Sequence, residues 1–288
     1  MIPAPFDYKA PATLEEAVSL LAGDPDGAKV LAGGHSLIPA MKLRLAQPQL
    51  LVDIARIKSL SYIREEGNQI LIGATTTHYQ LESSELLKQR CPLLPLCAAS
   101  IGDVQVRNKG TIGGSIAHSD PAGDWPAAVL ALDADLVLVG PGGERTVKAA
   151  DFFIDLLTTD LQPGEILREI RIAKPSGRFG QAYQKVPHPA SGFAVVGIAV
   201  HLAFNDDGSC KSARIGVTGV GAKAYRAQGV EAGLNGKNLD EQIITDAAKH
   251  VCDGVDPNSD LYASGDYRCH LAQVHTRRAL QAAKAAVK

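Results

Sequence analysis

What this sequence has little of narrows its function first. Aromatic residues make up 5% of 288 positions, too few for the stacking surfaces on which single-stranded nucleic acids lie. Neither sign of charge dominates: the formal net charge is −2 with the signs interspersed, so nothing favours nucleic acid or an anionic membrane surface as a partner. No apolar run approaches the roughly twenty residues of a membrane span, so no transmembrane segment is expected. The start, Met1-Ile2-Pro3-Ala4-Pro5, lacks the basic-then-apolar order of a secretory signal, and the expected location is the cytoplasm.

Clustered thiols are missing too. Cys91, Cys97, Cys210, Cys252 and Cys269 are odd in number and none forms a C-x-x-C pair. Zinc and iron–sulfur sites need thiolates closely grouped, so no metal site is expected in this chain. Buried, reduced thiols are the expectation. The dinucleotide pattern G-x-G-x-x-G and the phosphate-binding pattern ending in Gly-Lys-Ser/Thr are both absent, so any nucleotide is held in another way. There is no internal repeat and no low-complexity segment.

What is present is an ordinary globular composition, 45% hydrophobic and 21% charged, enough for one large domain or two modest ones. Two Gly-Gly pairs stand out, about eighty residues apart: Ala32-Gly33-Gly34-His35-Ser36 and Thr111-Ile112-Gly113-Gly114-Ser115. Paired glycines let the backbone take positive φ and lie directly against a ligand. Consecutive N–H groups in such a turn can form a concave anion site, with the following hydroxyl as a further donor. A Gly-Gly pair is also simply a turn signal. Together the two could grip one pyrophosphate from both sides.

Periodicity places these pairs among regular elements. Thr13-Leu14-Glu15-Glu16 reads as a capping box, with Leu14, Ala17, Val18 and Leu21 on one helical face. Residues 29–31 and 50–54 read as strands, and 62–64 with 69–72 as a hairpin across Glu66-Gly67-Asn68. A helix is expected from Thr75-Thr76-Thr77-His78 through Leu87, and another over 93–101. Asp124 reads as the cap of a helix over 127–132, with Pro126 in its first turn. A hairpin over 135–139 and 145–147 and a strand over 165–172 follow. Lys174-Pro175-Ser176-Gly177 reads as a boundary. Beyond it come a long hairpin (194–204 with 213–218) and helices over 224–234, 239–251 and 265–287. The class is α+β: a first domain over 1–176 and a C-terminal α+β domain over 177–288.

Ala32-Gly33-Gly34-His35-Ser36-Leu37-Ile38-Pro39, Arg107 to Ser115, and Asp120-Pro121-Ala122-Gly123-Asp124 together resemble the FAD-binding medium subunit of the molybdenum hydroxylases. The similarity is to the carbon monoxide dehydrogenase type, within the xanthine dehydrogenase family, and runs over essentially the whole chain. It implies that residues 1–176 form two subdomains (about 1–55 and 56–176) clasping FAD in the manner of the vanillyl-alcohol-oxidase flavin fold, then a small antiparallel sheet with three helices. It implies that the backbone N–H groups of Ala32, Gly33, Gly34, His35, Ser36 and Leu37 and of Thr111, Ile112, Gly113, Gly114 and Ser115 hold the pyrophosphate. Asp124 matches an acceptor for ribose or ribityl hydroxyls. Ile101, Leu167, Lys185 and Phe193 match positions at the flavin ring, Phe193 standing where relatives carry Tyr or Trp.

The resemblance further implies an electron-transfer role with no catalytic acid–base residue in this chain. Electrons would enter FAD from the [2Fe-2S] clusters of a small partner subunit and leave to a quinone or other acceptor. The molybdopterin of a large subunit would oxidise the substrate, the whole being a dimer of heterotrimers that reaches the inner membrane face only through the complex. The substrate stays open among carbon monoxide, an aldehyde, xanthine and an N-heterocycle such as quinoline or nicotine. A stand-alone flavin oxidase of the same fold and an assembly subunit without FAD are the other readings. His35, His118 and His188 read as loop and turn residues.

Overall fold

Thr13 starts the first helix. In the computed structural model, which describes residues 2–287, its hydroxyl accepts the Glu16 N–H at 3.2 Å and caps α1 (Leu14–Gly23). The Glu16 carboxylate reaches back one residue beyond the cap, to the Ala12 N–H at 2.9 Å, a shifted form of the reciprocal capping box. Ala17, Val18 and Leu21 bury the apolar face of α1 among residues of β2 (Ala28–Leu31) and β3 (Leu50–Asp53). With β1 (Asp7–Lys9) these strands make an all-parallel sheet in the order β1-β3-β2. The first Gly-Gly pair lies at the end of β2 and leads into α2 (Leu37–Lys42).

The next unit is antiparallel. β4 (Ile63–Glu66) and β5 (Gln69–Gly73) form a hairpin turning at Gly67, whose φ is 57°. β6 (Asp135–Gly140) and β7 (Gly143–Lys148) form another, and β8 (Phe153–Asp155) pairs with β9 (Thr158–Thr159) in a short ribbon. β10 (Ile166–Ala173) returns to the centre, giving the order β4-β5-β10-β6-β7. Between β5 and β6 the chain makes α3 (His78–Ser83), α4 (Glu85–Arg90), α5 (Leu93–Ala99), α6 (Val104–Lys109), α7 (Ile112–His118) and α8 (Asp124–Ala131), and α9 (Ala149–Phe152) follows β7. Trp125, Leu94 and Ile112 pack with Ile72, Leu138 and Ile170 in one core.

The helix expected from Thr75 through Leu87 is two helices. Ser84 is extended (φ −66°, ψ 113°) and its hydroxyl accepts the Leu87 N–H at 3.3 Å, so a side-chain cap competes with helix continuation and wins. The cap of α3 is Thr77, in a reciprocal box with Gln80.

After residues 174–177 a third sheet begins. β11 (Arg178–Pro187), β12 (Ala194–Phe204), β13 (Cys210–Thr218) and β14 (Tyr225–Arg226) are antiparallel neighbours in that order. β11 carries polar Gln181, Gln184 and Lys185 among its apolar residues, which hides its alternation from a sequence reading. The helix expected from Ala224 begins at Gln228 instead, because Tyr225 and Arg226 extend the sheet edge. α10 (Gln228–Leu234), α11 (Glu241–Ala248) and α12 (Gly265–Ala285) cover this sheet. Parallel and antiparallel sheets thus occupy separate stretches, with helices packed against each: an α+β architecture.

The expectation of five reduced thiols is corrected. Cys252 and Cys269 are joined in a disulfide with their Cα atoms 6.0 Å apart. They lie seventeen positions apart in sequence, so no local spacing signals the pair. It is the packing of α12 on α11 that brings them together. Cys91, Cys97 and Cys210 are buried and free.

Candidate functional site

β2 delivers the chain into the first Gly-Gly segment. Gly34 has φ of 72°, the left-handed conformation only glycine adopts without strain. Among the described residues, the main-chain N–H groups of Gly33, Gly34, His35, Ser36 and Leu37 meet no protein acceptor. Five consecutive unpaired donors at the entry to a helix form an anion nest. The His35 ring folds back, its Nδ1 2.8 Å from the Gly33 carbonyl, so the side chain ties the loop to itself and leaves the N–H groups free.

The second Gly-Gly segment differs from a loop. Gly113 and Gly114 form the first turn of α7, and the capping Thr111 hydroxyl accepts the Gly114 N–H at 3.2 Å. The Ile112 N–H is given to the Thr76 carbonyl at 3.1 Å, that of Gly113 to Ala74 at 2.9 Å and that of Ser115 to Thr111 at 3.1 Å. These four amides are committed within the protein, so this segment offers hydroxyls, chiefly Ser115, where the first offers amides. Glycine is required at 113 by packing, since a Cβ there would abut the Ala74 side chain and come within 2.7 Å of its carbonyl oxygen. At Gly33 a Cβ would strike the Lys109 carbonyl and lie 2.8 Å from the Gly110 Cα. The two segments therefore touch backbone to backbone.

A cleft of about 780 Å³ opens along this junction, inside the range of roughly 300–1,000 Å³ usual for cofactor sites. Ala32, Gly33, Gly34, His35, Ser36, Leu37, Ile101, Thr111, Gly113, Gly114, Ser115, Asp124, Leu167 and Phe193 line it. Two residues named from sequence stand outside it. Ile112 is fully buried in the core. Lys185 is buried behind Asp124, with its ammonium 2.8 Å from Asp124 Oδ2 and 2.9 Å from the Ser100 carbonyl.

Asp124 is not the helix cap its sequence position suggests. Gly123 occupies that place, and Asp124 is the first residue of α8 with its carboxylate turned to β11. There Oδ1 accepts the Tyr183 hydroxyl at 2.5 Å and Oδ2 the Lys185 ammonium. Burial pushes this carboxyl up from the ordinary range, while Lys185 and Tyr183 oppose the shift. A carboxylate has about four lone-pair sites, so one facing the cleft still has room for a hydroxyl.

His188 is the turn residue its sequence position suggests, whereas His78 and Trp125 were not singled out by sequence reasoning as site residues. His188 accepts the N–H groups of Ala190 and Ser191 at 3.2 and 3.4 Å and donates its own N–H to the Phe193 carbonyl at 2.7 Å. It thereby closes the tight loop that sets Phe193, 45% exposed, at the cleft. His78, 4% exposed, lines the cleft beside Gly110. Its Nδ1 accepts the indole N–H of the fully buried Trp125 at 3.0 Å. Burial, with His35 and Arg107 nearby, lowers its pKa to about 4. No local pattern in sequence marks His78 or Trp125, because they meet only across 47 residues.

A row of free amides, a buried carboxylate and the apolar side chains of Ile101, Leu167 and Phe193 suit a molecule carrying a diphosphate, a polyol and a flat ring. The fit is therefore to a flavin dinucleotide. Among the described residues no cluster of His, Cys, Asp and Glu could hold a metal ion, and no helix is long and apolar enough to cross a membrane.

Comparison with known proteins identifies FAD as the cofactor of the family. Residues 4–175 match the family described as the FAD-binding domain in molybdopterin dehydrogenase, and residues 181–283 match the CO dehydrogenase flavoprotein C-terminal domain. The carbon monoxide dehydrogenase medium chain of Hydrogenophaga pseudoflava is 42% identical over 98% of both chains. The glyceraldehyde dehydrogenase medium chain of Sulfolobus acidocaldarius is 36% identical over 98% of this chain and 99% of its own. A solved carbon monoxide dehydrogenase from Hydrogenophaga pseudoflava superposes with a TM-score of 0.97 at 43% identity, covering 100% of both chains. The chain is a member of the FAD-binding medium-subunit family of the molybdopterin dehydrogenases.

Proposed function

We propose that this chain binds FAD in the cleft between the two Gly-Gly segments and serves as the electron-transfer subunit of a molybdenum hydroxylase that oxidises carbon monoxide. The observation that carries the reading is the nest of five unpaired N–H groups at residues 33–37, set at the mouth of α2 and against the start of α7. A diphosphate is the ligand group that such a nest matches in charge and donor number. FAD, when bound, supplies the redox chemistry, and the protein contributes binding, orientation and electrostatics.

The chain's own residues divide that work. Gly33 to Leu37 and the Ser115 hydroxyl hold the diphosphate. Asp124 accepts from sugar or ribityl hydroxyls. Ile101, Leu167 and Phe193 cover the ring and keep water from it. Lys185 acts from behind, its ammonium favouring the ionised form of Asp124 against the effect of burial. The free cysteines are scattered and buried, which is why the iron–sulfur clusters are assigned to a small partner subunit and molybdopterin to a large one. We assign the assembly as a dimer of heterotrimers, located in the cytoplasm, with a quinone as acceptor.

Carbon monoxide is favoured over the glyceraldehyde of the other relative by the higher identity to the carbon monoxide dehydrogenase chain, 42% against 36%. Co-expression with the two partner subunits, followed by anaerobic mixing with each substrate, tests it. Bleaching of the flavin by carbon monoxide is the expected result. Bleaching by an aldehyde or an N-heterocycle, with carbon monoxide inert, would move the chain to another substrate branch.

A further inference from the structure

His78 is a buried histidine with one ring nitrogen spoken for and one not. Its main-chain N–H is given to the Gly110 carbonyl at 2.9 Å, which fixes the residue at the point where the second glycine segment begins. The indole N–H of Trp125 is donor only, so the Nδ1 atom it meets must be unprotonated. The ring is neutral at physiological pH, with its pKa lowered to about 4. Its single proton is therefore on Nε2.

That Nε2–H has no acceptor among the described residues. Nor is it one of the buried polar atoms cut off from solvent without a partner, so the cleft reaches it. Its position is defined by Gly110, where a Cβ would come within 2.6 Å of Nε2. Gly110 is also the residue whose Cα lies against Gly33, at the start of the nest. A neutral donor, locked in one tautomer by a buried indole, thus stands where the two glycine segments meet.

We propose that His78 is a direct ligand of the dinucleotide, its Nε2–H donating to a pyrophosphate oxygen, with Trp125 as the positioning residue that holds the donating tautomer. This rests on the reading of the cleft as an FAD site. A neutral donor suits the place because it adds a hydrogen bond to the diphosphate without a cation whose desolvation must be offset.

The test uses the full chain and FAD itself. His78→Phe is expected to weaken FAD binding by about tenfold or more, the usual effect of losing a hydrogen bond to a charged group. His78→Gln, whose amide N–H reaches about as far as Nε2, is expected to recover most of that loss. In wild type, the ¹⁵N spectrum is expected to show His78 as the Nε2–H tautomer before FAD is added, with Nε2 shifting on binding. The ³¹P resonances of bound FAD are expected to differ between wild type and His78→Phe.

Affinity of His78→Phe within twofold of wild type, with unchanged ³¹P resonances, would overturn the proposal. If His78→Phe does not fold, the wild-type ¹⁵N signal decides: an Nδ1–H tautomer, or no shift on FAD addition, overturns it equally. Wild type that binds no FAD would refute the underlying cleft reading instead, so the two failures are distinguishable.

Discussion

The Lys185 ammonium lies 2.8 Å from Asp124 Oδ2, with both side chains about 95% buried, at 6% and 5% exposure. This pair joins β11 of the third sheet to the first turn of α8 in the second unit, beneath the wall of the cleft. It places the lysine one layer behind the cleft, whose wall includes Asp124.

Removing one partner of a buried pair strands the other. Lys185→Met is expected to destabilise the apo chain by about 3–5 kcal/mol, because Asp124 keeps only Tyr183 as a partner. Urea denaturation of the apo protein checks it. A loss below about 1 kcal/mol would mean that the pair is as weak as a surface salt bridge.

The contact between the two glycine segments makes Gly33 sensitive to a single methyl group. Gly33→Ala would press its Cβ into the Lys109 carbonyl and the Gly110 Cα, at a cost of about 1–3 kcal/mol from overpacking. It is also expected to weaken FAD binding, since the nest must shift to relieve the clash. Gly23→Ala, with nothing within 4 Å of the new Cβ, is the control expected to leave FAD affinity unchanged. Equal FAD affinity in both variants would show that the segments do not depend on close approach.

Gly113 and Gly114 are adjacent and separable. Gly113 is buried against Ala74, so Gly113→Ala is expected to lower the melting temperature of the apo chain. Gly114 is exposed at the cleft, and its Cβ would meet chiefly the Thr111 hydroxyl at 2.8 Å. Gly114→Val is therefore expected to abolish FAD binding while the apo melting temperature stays near wild type. Unchanged flavin content in Gly114→Val would remove α7 from the binding site.

His78 and His201 both have pKa values lowered to about 4 by burial. Between about pH 6.5 and pH 4 the unfolded chain binds protons that the folded chain refuses, so stability is present above that window and falls as pH drops through it. Well inside the window the loss approaches 1.4 kcal/mol per pH unit for each ring. Denaturation midpoints measured from pH 7.5 to 5.5, before most carboxylates protonate, check the slope. His201→Gln is expected to make it shallower. A flat profile in wild type would show that these rings ionise freely in the folded state.

Much of this molecule was legible from local pattern. Thr13, Leu14, Ala17 and Val18 mark α1 by cap and period, and the Asn205-Asp206-Asp207-Gly208 turn marks the long β12–β13 hairpin. What local pattern could not give is set by contacts between distant residues. β11 is a strand because β12 pairs with it along its whole length, not because its own residues alternate cleanly. The Gly113-Gly114 pair reads as a turn in isolation. It becomes a helix start because the Ala74 carbonyl receives the Gly113 amide and the Thr111 hydroxyl that of Gly114. In the same way Asp124 looks like a cap until Tyr183 and Lys185 claim its carboxylate. His78 carries no sequence signal, since its role depends on a tryptophan 47 residues away.

Non-covalent FAD in the cleft between the two glycine segments is what the proposed function requires above all. The most direct measurement is the absorption spectrum of the purified chain after incubation with FAD and removal of excess, repeated on the supernatant and pellet of an acid precipitation. Flavin bands on the native protein that pass wholly into the supernatant are the expected result. A protein that remains colourless after FAD incubation would contradict the account, and flavin retained in the pellet would contradict its non-covalent form.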